Sequence, residues 1–257
     1  MGITIAEEIG LYIIIFLYGI VIGSFVNVLI YRLPKHENIA VEHSHCMSCG
    51  HKLGWYDLVP LLSYIFLKGK CRYCKAKISL QYPLIEAVNG VGYVVIFYFA
   101  GLNLFSILYA LTFSVLVAVT VIDWRTYEIP PALNIVIAVL GVIMTVLDRT
   151  YWASHLIGAV CVSGFLLILF ILTQGRGIGG GDIKLMAAAG LLLGWRKIIF
   201  ALVIGCIIGS IIHLILMKIK GKDRVLAFGP YLSVGIVTMM IWGDTIIKAY
   251  LHLVFGA

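Results

Sequence analysis

Apolar runs long enough to cross a bilayer as helices, about 20 residues each, recur along this chain. They fall near residues 9–31, 83–100, 103–123, 131–147, 153–173, 183–194, 197–217 and 229–254. The pattern predicts an all-α polytopic membrane protein with about eight transmembrane helices. The run at 183–194 is short and reads as a partial or re-entrant helix. One long polar stretch, 32–82, interrupts the series. The expected organisation is therefore a first transmembrane helix (1–31), a cysteine-rich loop domain (32–82) and a transmembrane core (83–257).

Composition supports lipid as the solvent. Of the 257 residues, 62% are hydrophobic and 12% charged, whereas soluble domains are about half apolar and about a quarter charged. The formal net charge of +7 comes without a dense basic run, which argues against a nucleic-acid partner and leaves membrane orientation as its main consequence. The polar stretch carries Arg32, Lys35, Lys52, Lys68, Lys70, Arg72, Lys75 and Lys77. With that stretch in the cytoplasm, even numbers of crossings bring 123–130, 174–184 and 218–228 inside too. Fifteen of the nineteen basic residues then lie inside, and Arg149, Arg196, Lys197 and Lys248 remain outside. The opening MGITIAEEIG is acidic, without the basic region of a cleavable signal, so the first apolar run is expected to stay as a helix.

The loop holds two C-x-x-C pairs, Cys46/Cys49 and Cys71/Cys74, with 21 residues between them. Four thiolates in two such knuckles suit the tetrahedral shell of zinc, although the spacer slightly exceeds the usual ~15–20 residues. Basic, turn-like surroundings (HCMSCGHK and KCRYCKAK) help lower thiol pKa values. Redox pairing and unligated thiols are the alternatives. His43, His45 and His51 are read as surface residues because four cysteines already fill the shell. Cys161 and Cys206, in mid-helix apolar sequence, are read as small buried side chains.

Ionisable residues at membrane depth are costly and are functional candidates. Asp123 closes one apolar run, Asp182 opens another, and Glu86 begins a third. Two crossings separate Asp123 from Asp182, so both are expected at the same face. Two neighbouring carboxylates resist joint ionisation, and one stays protonated. Such a pair can supply a general base for water and a general acid for a carbonyl. Gly177, Gly179, Gly180 and Gly181 permit close approach of another backbone beside Asp182. The plainer reading pairs Asp123 with Arg125 and makes Asp182 a helix cap. Glu128, Asp148, Asp223 and Asp244 read as solvated or interfacial charges.

Taken in order, these segments resemble the bifunctional type IV prepilin peptidases, from about residue 19 to about residue 235. The resemblance is carried by GSFVNVLIYRLP (23–34), the two knuckles, ISLQYPLIE (78–86) and Asp123 with Ile129-Pro130. It continues through Gly179-Gly180-Gly181-Asp182 with Lys184, GLLLGW (190–195) and FGPYLSVG (228–235). Met47 stands where the family usually has proline, and Pro131 where an acidic or amide residue is common. The resemblance implies a bacterial cytoplasmic-membrane aspartic peptidase whose substrates are prepilins and pseudopilins. It further implies cleavage after a glycine at the cytoplasmic face, then N-methylation of the new terminus from S-adenosylmethionine. It makes Asp123 and Asp182 the proteolytic pair and points to Asn27, Arg32 and Glu86 as cofactor-binding residues. Asn27 as an interhelical hydrogen-bonding residue and Arg32 as a membrane-edge anchor are the structural alternatives. Rival readings are a leader peptidase without methylation, a proton-coupled transporter, and a non-catalytic scaffold.

Overall fold

The computed structural model describes residues 5–39, 43–220 and 226–256. Lys222, Asp223 and Arg224, with the side chain of Lys220, lie outside the described residues. Eight long helices form, as the apolar pattern predicts: α1 (Ile5–Arg32), α3 (Gln81–Ala100), α4 (Leu104–Thr126), α5 (Pro131–Leu147), α6 (Trp152–Leu172), α7 (Gly180–Leu193), α8 (Trp195–Lys220) and α9 (Gly229–Phe255). A five-residue helix, α2 (Leu62–Phe66), lies in the loop. The described residues contain isolated β-bridges but no β-strand. Helices α1, α3, α4, α6, α8 and α9 are long and apolar enough to cross a membrane. The chain is a multi-pass membrane protein. It divides into two compact units, Met1–Tyr98 and Phe99–Ala257.

In the first unit, α1 and α3 approach closely through small residues. A Cβ on Gly19 would lie 2.7 Å from the Gly90 Cα, so only glycine permits this crossing. Asn89, fully buried on α3, donates to the Gly19 carbonyl at 2.7 Å. Pro34 follows α1, whose end tightens into a 3₁₀ turn over Leu33–Lys35. The loop then runs through both knuckles and returns to the membrane at α3.

In the second unit, α7 is the innermost helix. Its 14 residues span about 21 Å, short of the ~30 Å hydrocarbon core. Met186, Leu185 and Ala189 are completely buried, so α7 faces protein and tolerates Asp182 at its start. Its far end is fixed at the Leu191 carbonyl, which accepts from His155 Nδ1 at 2.9 Å and from Thr145 Oγ1 at 3.3 Å. His155 Nε2 in turn lies 3.4 Å from Asp148 Oδ2, so Asp148 faces a buried imidazole. Asp244 pairs with Lys197 at 2.8 Å at the surface, and Glu128 is exposed. Cys206 is exposed on α8 and Cys161 half-buried on α6, contrary to the expectation that both are buried. In a membrane helix an apolar position is as well placed facing outward as inward.

Candidate active site and cofactor cavity

Asp123 sits on the last turn of α4. The helix stops because Tyr127 turns left-handed (φ 56°) and its N–H caps the Asp123 carbonyl at 2.9 Å. Ile129 and Pro130 then lead into α5, which starts on Pro131. Asp182 occupies the first turn of α7, with its carboxylate packed against the extended N-cap residue Gly179. Both acids are buried, Asp123 at 4% and Asp182 at 8% exposure. The charge of Asp123 reaches Asp182, so the fold brings together carboxylates that lie two helices apart in sequence.

Two further elements close this end of the second unit. The Gly229 N–H, at the start of α9, donates to Asp123 Oδ2 at 2.8 Å. Asn134 on α5, itself buried, donates from Nδ2 to the Gly181 carbonyl at 3.4 Å. Ile129 packs on Gly181, where an added Cβ would stand 3.0 Å from the Ile129 Cβ. Asp182 thus packs on its own helix start and lies close enough to feel the charge of Asp123. Asp123 takes its described hydrogen bond from Gly229. In the sequence Gly229 stands within FGPYLSVG with no role assigned to it, and Asn134 is unmarked. A lone amide three residues into a helix carries no pattern of its own.

The four knuckle cysteines also converge. Their Sγ atoms all lie within 4.8 Å of one another, and Cys46 and Cys74 are 3.8 Å apart. A tetrahedron with bonds of ~2.3 Å has edges of ~3.8 Å, so the arrangement matches a zinc shell. The two octapeptides repeat one local fold. Cys46 N donates to the His51 carbonyl and Cys71 N to Ala76. Gly50 N returns to Cys46 and Lys75 N to Cys71. A bridge closes each, His45 with Lys52 and Lys70 with Lys77. None of the four is in a disulfide. The backbone N–H groups of Cys49 and Ser48 favour the Cys46 thiolate and bring its pKa to about 6. Cys74 is pushed up to about 11: the Ala76 N–H opposes the rise, and burial with hydrogen bonding to Cys49, Cys71 and Cys46 outweighs it. One thiol of the cluster ionises readily and another resists until a cation offsets the charge. No histidine joins the cluster among the described residues, and His51 packs at a tilt against Tyr73 with ring centroids 3.6 Å apart.

A cavity of about 480 Å³ opens in the first unit and is lined by Asn27, Tyr31, Arg32, Cys46, Tyr82 and Glu86, among others. Its size falls in the range of small-molecule sites, about 300–1,000 Å³. Glu86 is a buried lining residue and accepts from the Leu61 N–H at 2.8 Å and from Ser24. Tyr31 and Tyr82 stack nearly parallel, with centroids 5.4 Å apart. Asn27 spans the helix pair, donating to the Tyr82 carbonyl at 3.1 Å and accepting from Gln81 at 3.4 Å. Arg32 Nη1 donates to the carbonyls of Asn38 and Ile39 at 3.0 and 3.2 Å, holding the turn after α1.

Two family models match the chain: the bacterial peptidase A24 N-terminal domain over residues 17–100 and the type IV leader peptidase family over residues 110–214. A prepilin leader peptidase/N-methyltransferase of Aeromonas salmonicida (strain A449) is 32% identical, covering 93% of both chains. The chain belongs to the type IV leader peptidase family. A protein of the same description from Bacillus subtilis (strain 168) is 31% identical over 95% of this chain and 99% of its own. Another, from Pseudomonas putida, is 31% identical over 91% and 92%. No solved structure matches the chain. The first family match begins inside α1 and takes in the cysteine cluster and the Glu86 cavity. The second takes in both aspartates.

Proposed function

We propose that this chain is a bacterial inner-membrane aspartic endopeptidase that removes the leader of type IV prepilins and pseudopilins, then N-methylates the new terminus. The observation that carries the first activity is the pair of buried carboxylates, Asp123 and Asp182, joined at one end of the second unit. One carboxylate, ionised, takes a proton from water as the oxygen attacks the scissile carbonyl. The other, protonated, polarises the carbonyl oxygen. Collapse of the tetrahedral intermediate breaks the C–N bond, and the departing amine receives a proton from the pair. Burial keeps bulk water from screening these interactions. The Gly229 N–H and the α7 start hold both acids, so little reorganisation accompanies attack. The bias of Lys and Arg supports a cytoplasmic cysteine-bearing loop.

Support for the second activity comes from the cavity in the first unit and from the names of the relatives. S-adenosylmethionine, when bound, supplies an electrophilic methyl group on a cationic sulfonium. Glu86 offers a buried carboxylate to a cationic ligand or to the proton of the accepting amine. The stacked Tyr31 and Tyr82 give an aromatic wall. Asn27 and Arg32 complete the polar rim. Glu86→Gln is expected to leave leader removal intact while methylation falls at least about tenfold, ~1.4 kcal/mol in the barrier. Mass spectrometry of the mature N-terminus distinguishes the two products. Loss of cleavage with normal methylation of a pre-cut pilin would instead place Glu86 in the peptidase half.

The knuckles are assigned a structural zinc, about one per chain. Cys71→Ser, which removes the one buried ligand of the four, should lose the metal and loosen the loop. Elemental analysis of protein purified without chelator checks this, and finding no zinc in the unaltered chain would contradict it.

A further inference from the structure

The loop between the knuckles contains one buried acid, Asp57, whose side chain is 1% exposed. It ends a 3₁₀ turn, Trp55–Asp57, and accepts from the Gly54 N–H at 3.3 Å. Its other oxygen accepts from Arg72 Nε at 2.7 Å. Arg72 lies inside the second knuckle, between Cys71 and Cys74, and its guanidinium also covers the Tyr56 ring at 5.1 Å. The second knuckle is therefore docked on the 54–57 turn through a charge-assisted hydrogen bond that is shielded on the Asp57 side.

Four residues further on, Leu61 adopts φ 61° and ψ −51°. Leu62 N closes onto the Pro60 carbonyl at 2.6 Å. This is a γ-turn of the strained hand, a conformation that leucine does not hold unless its surroundings impose it. Its consequence is specific: the Leu61 N–H points at Glu86 Oε2, 2.8 Å away. A continuous path thus runs from Cys71 and Cys74 through Arg72, Asp57 and the 58–61 segment to Glu86. Cys71, Arg72, Asp57 and Glu86 all line the same cavity.

We propose that Asp57 and Arg72 are positioning residues that transmit the state of the four-cysteine cluster to Glu86, so that metal occupancy and affinity for a cationic cavity ligand are coupled. The inference rests on the reading of this cavity as the S-adenosylmethionine site. With metal bound, the second knuckle holds Arg72 against Asp57, the turn is fixed, and Leu61 keeps its N–H on Glu86. With metal removed, the knuckle releases the pair and Leu61 relaxes to an ordinary backbone conformation. Glu86 then keeps Ser24 but loses the Leu61 donor on Oε2 that fixes its orientation. Coupling of this kind is reciprocal, so the ligand should also tighten the metal.

The test is calorimetric titration of S-adenosylmethionine, without prepilin, into the full-length protein in detergent, before and after chelation. Asp57→Asn keeps the side-chain shape, and zinc content is measured on each sample. In the unaltered protein, chelation is expected to weaken binding at least about tenfold. Asp57→Asn should keep its zinc and weaken binding comparably. Chelating that variant should add less than about threefold, because the path is already cut. Arg72→Lys, which keeps the charge but not the fork, should fall between. Full, independent losses from chelation and from Asp57→Asn would overturn the proposal. Unchanged affinity in Asp57→Asn, or loss of its zinc, would do the same. Zinc-loaded unaltered protein that binds no S-adenosylmethionine would overturn the reading of the cavity itself, and this inference with it.

Discussion

Asp123→Asn and Asp182→Asn are each expected to reduce leader cleavage by about four orders of magnitude or more, the loss seen when one member of a catalytic unit is removed. Amide and carboxylate have nearly the same shape, so each variant should insert and fold. An asparagine at 123 can still accept the Gly229 N–H, and one at 182 fills the same space beside Gly179. What is lost is the ability to hold or release a proton. The double variant should cost little more than either single one, because the two act together. The check is a cleavage assay on detergent-purified protein, with thermal unfolding measured alongside. Near-normal cleavage by either single variant would remove that residue from the mechanism.

Gly229→Ala is expected to lower cleavage about a hundredfold, the scale of losing one preorganised hydrogen bond in an active site. An added Cβ would stand 2.8 Å from Asp123 Oδ2 and 3.1 Å from its Cγ. The carboxylate would have to swing away, or the start of α9 retreat, and either motion parts Asp123 from Asp182. Gly164→Ala provides the comparison. It lies on α6, and its nearest neighbour would be a Val160 methyl at 3.9 Å, so cleavage should be unaffected. Equal activity in both alanine variants would show that the Gly229 contact does not hold Asp123 in its working position.

The eight long helices were legible because a bilayer demands long apolar runs, and such runs survive in sequence as blocks. The short fourteen-residue α7 was legible as an anomaly, since only burial among other helices lets a short segment carry an aspartate. The cysteine cluster was legible from spacing alone. Other features were hidden for physical reasons. Gly229 meets Asp123 across 106 residues, and a backbone N–H leaves no trace in residue type. Asp57 carried no signal of its own and Arg72 counted only toward orientation, because burial of a loop carboxylate depends on how the loop closes. The positive φ of Leu61 breaks the preference of its own residue type, so no propensity could suggest it. The outward placement of Cys206 follows from lipid accepting apolar side chains on any face, which leaves no periodic sign of inside and outside.

A time course of the purified protein with a prepilin and S-adenosylmethionine, followed by product mass, measures both activities at once. The leader is expected to be lost first, and the shortened chain then to gain the mass of one CH₂ unit. With Asp182→Asn, neither product should form from the full prepilin, while a pre-cut pilin should still be methylated. An unaltered protein that leaves the prepilin at its original mass under these conditions would contradict the central claim.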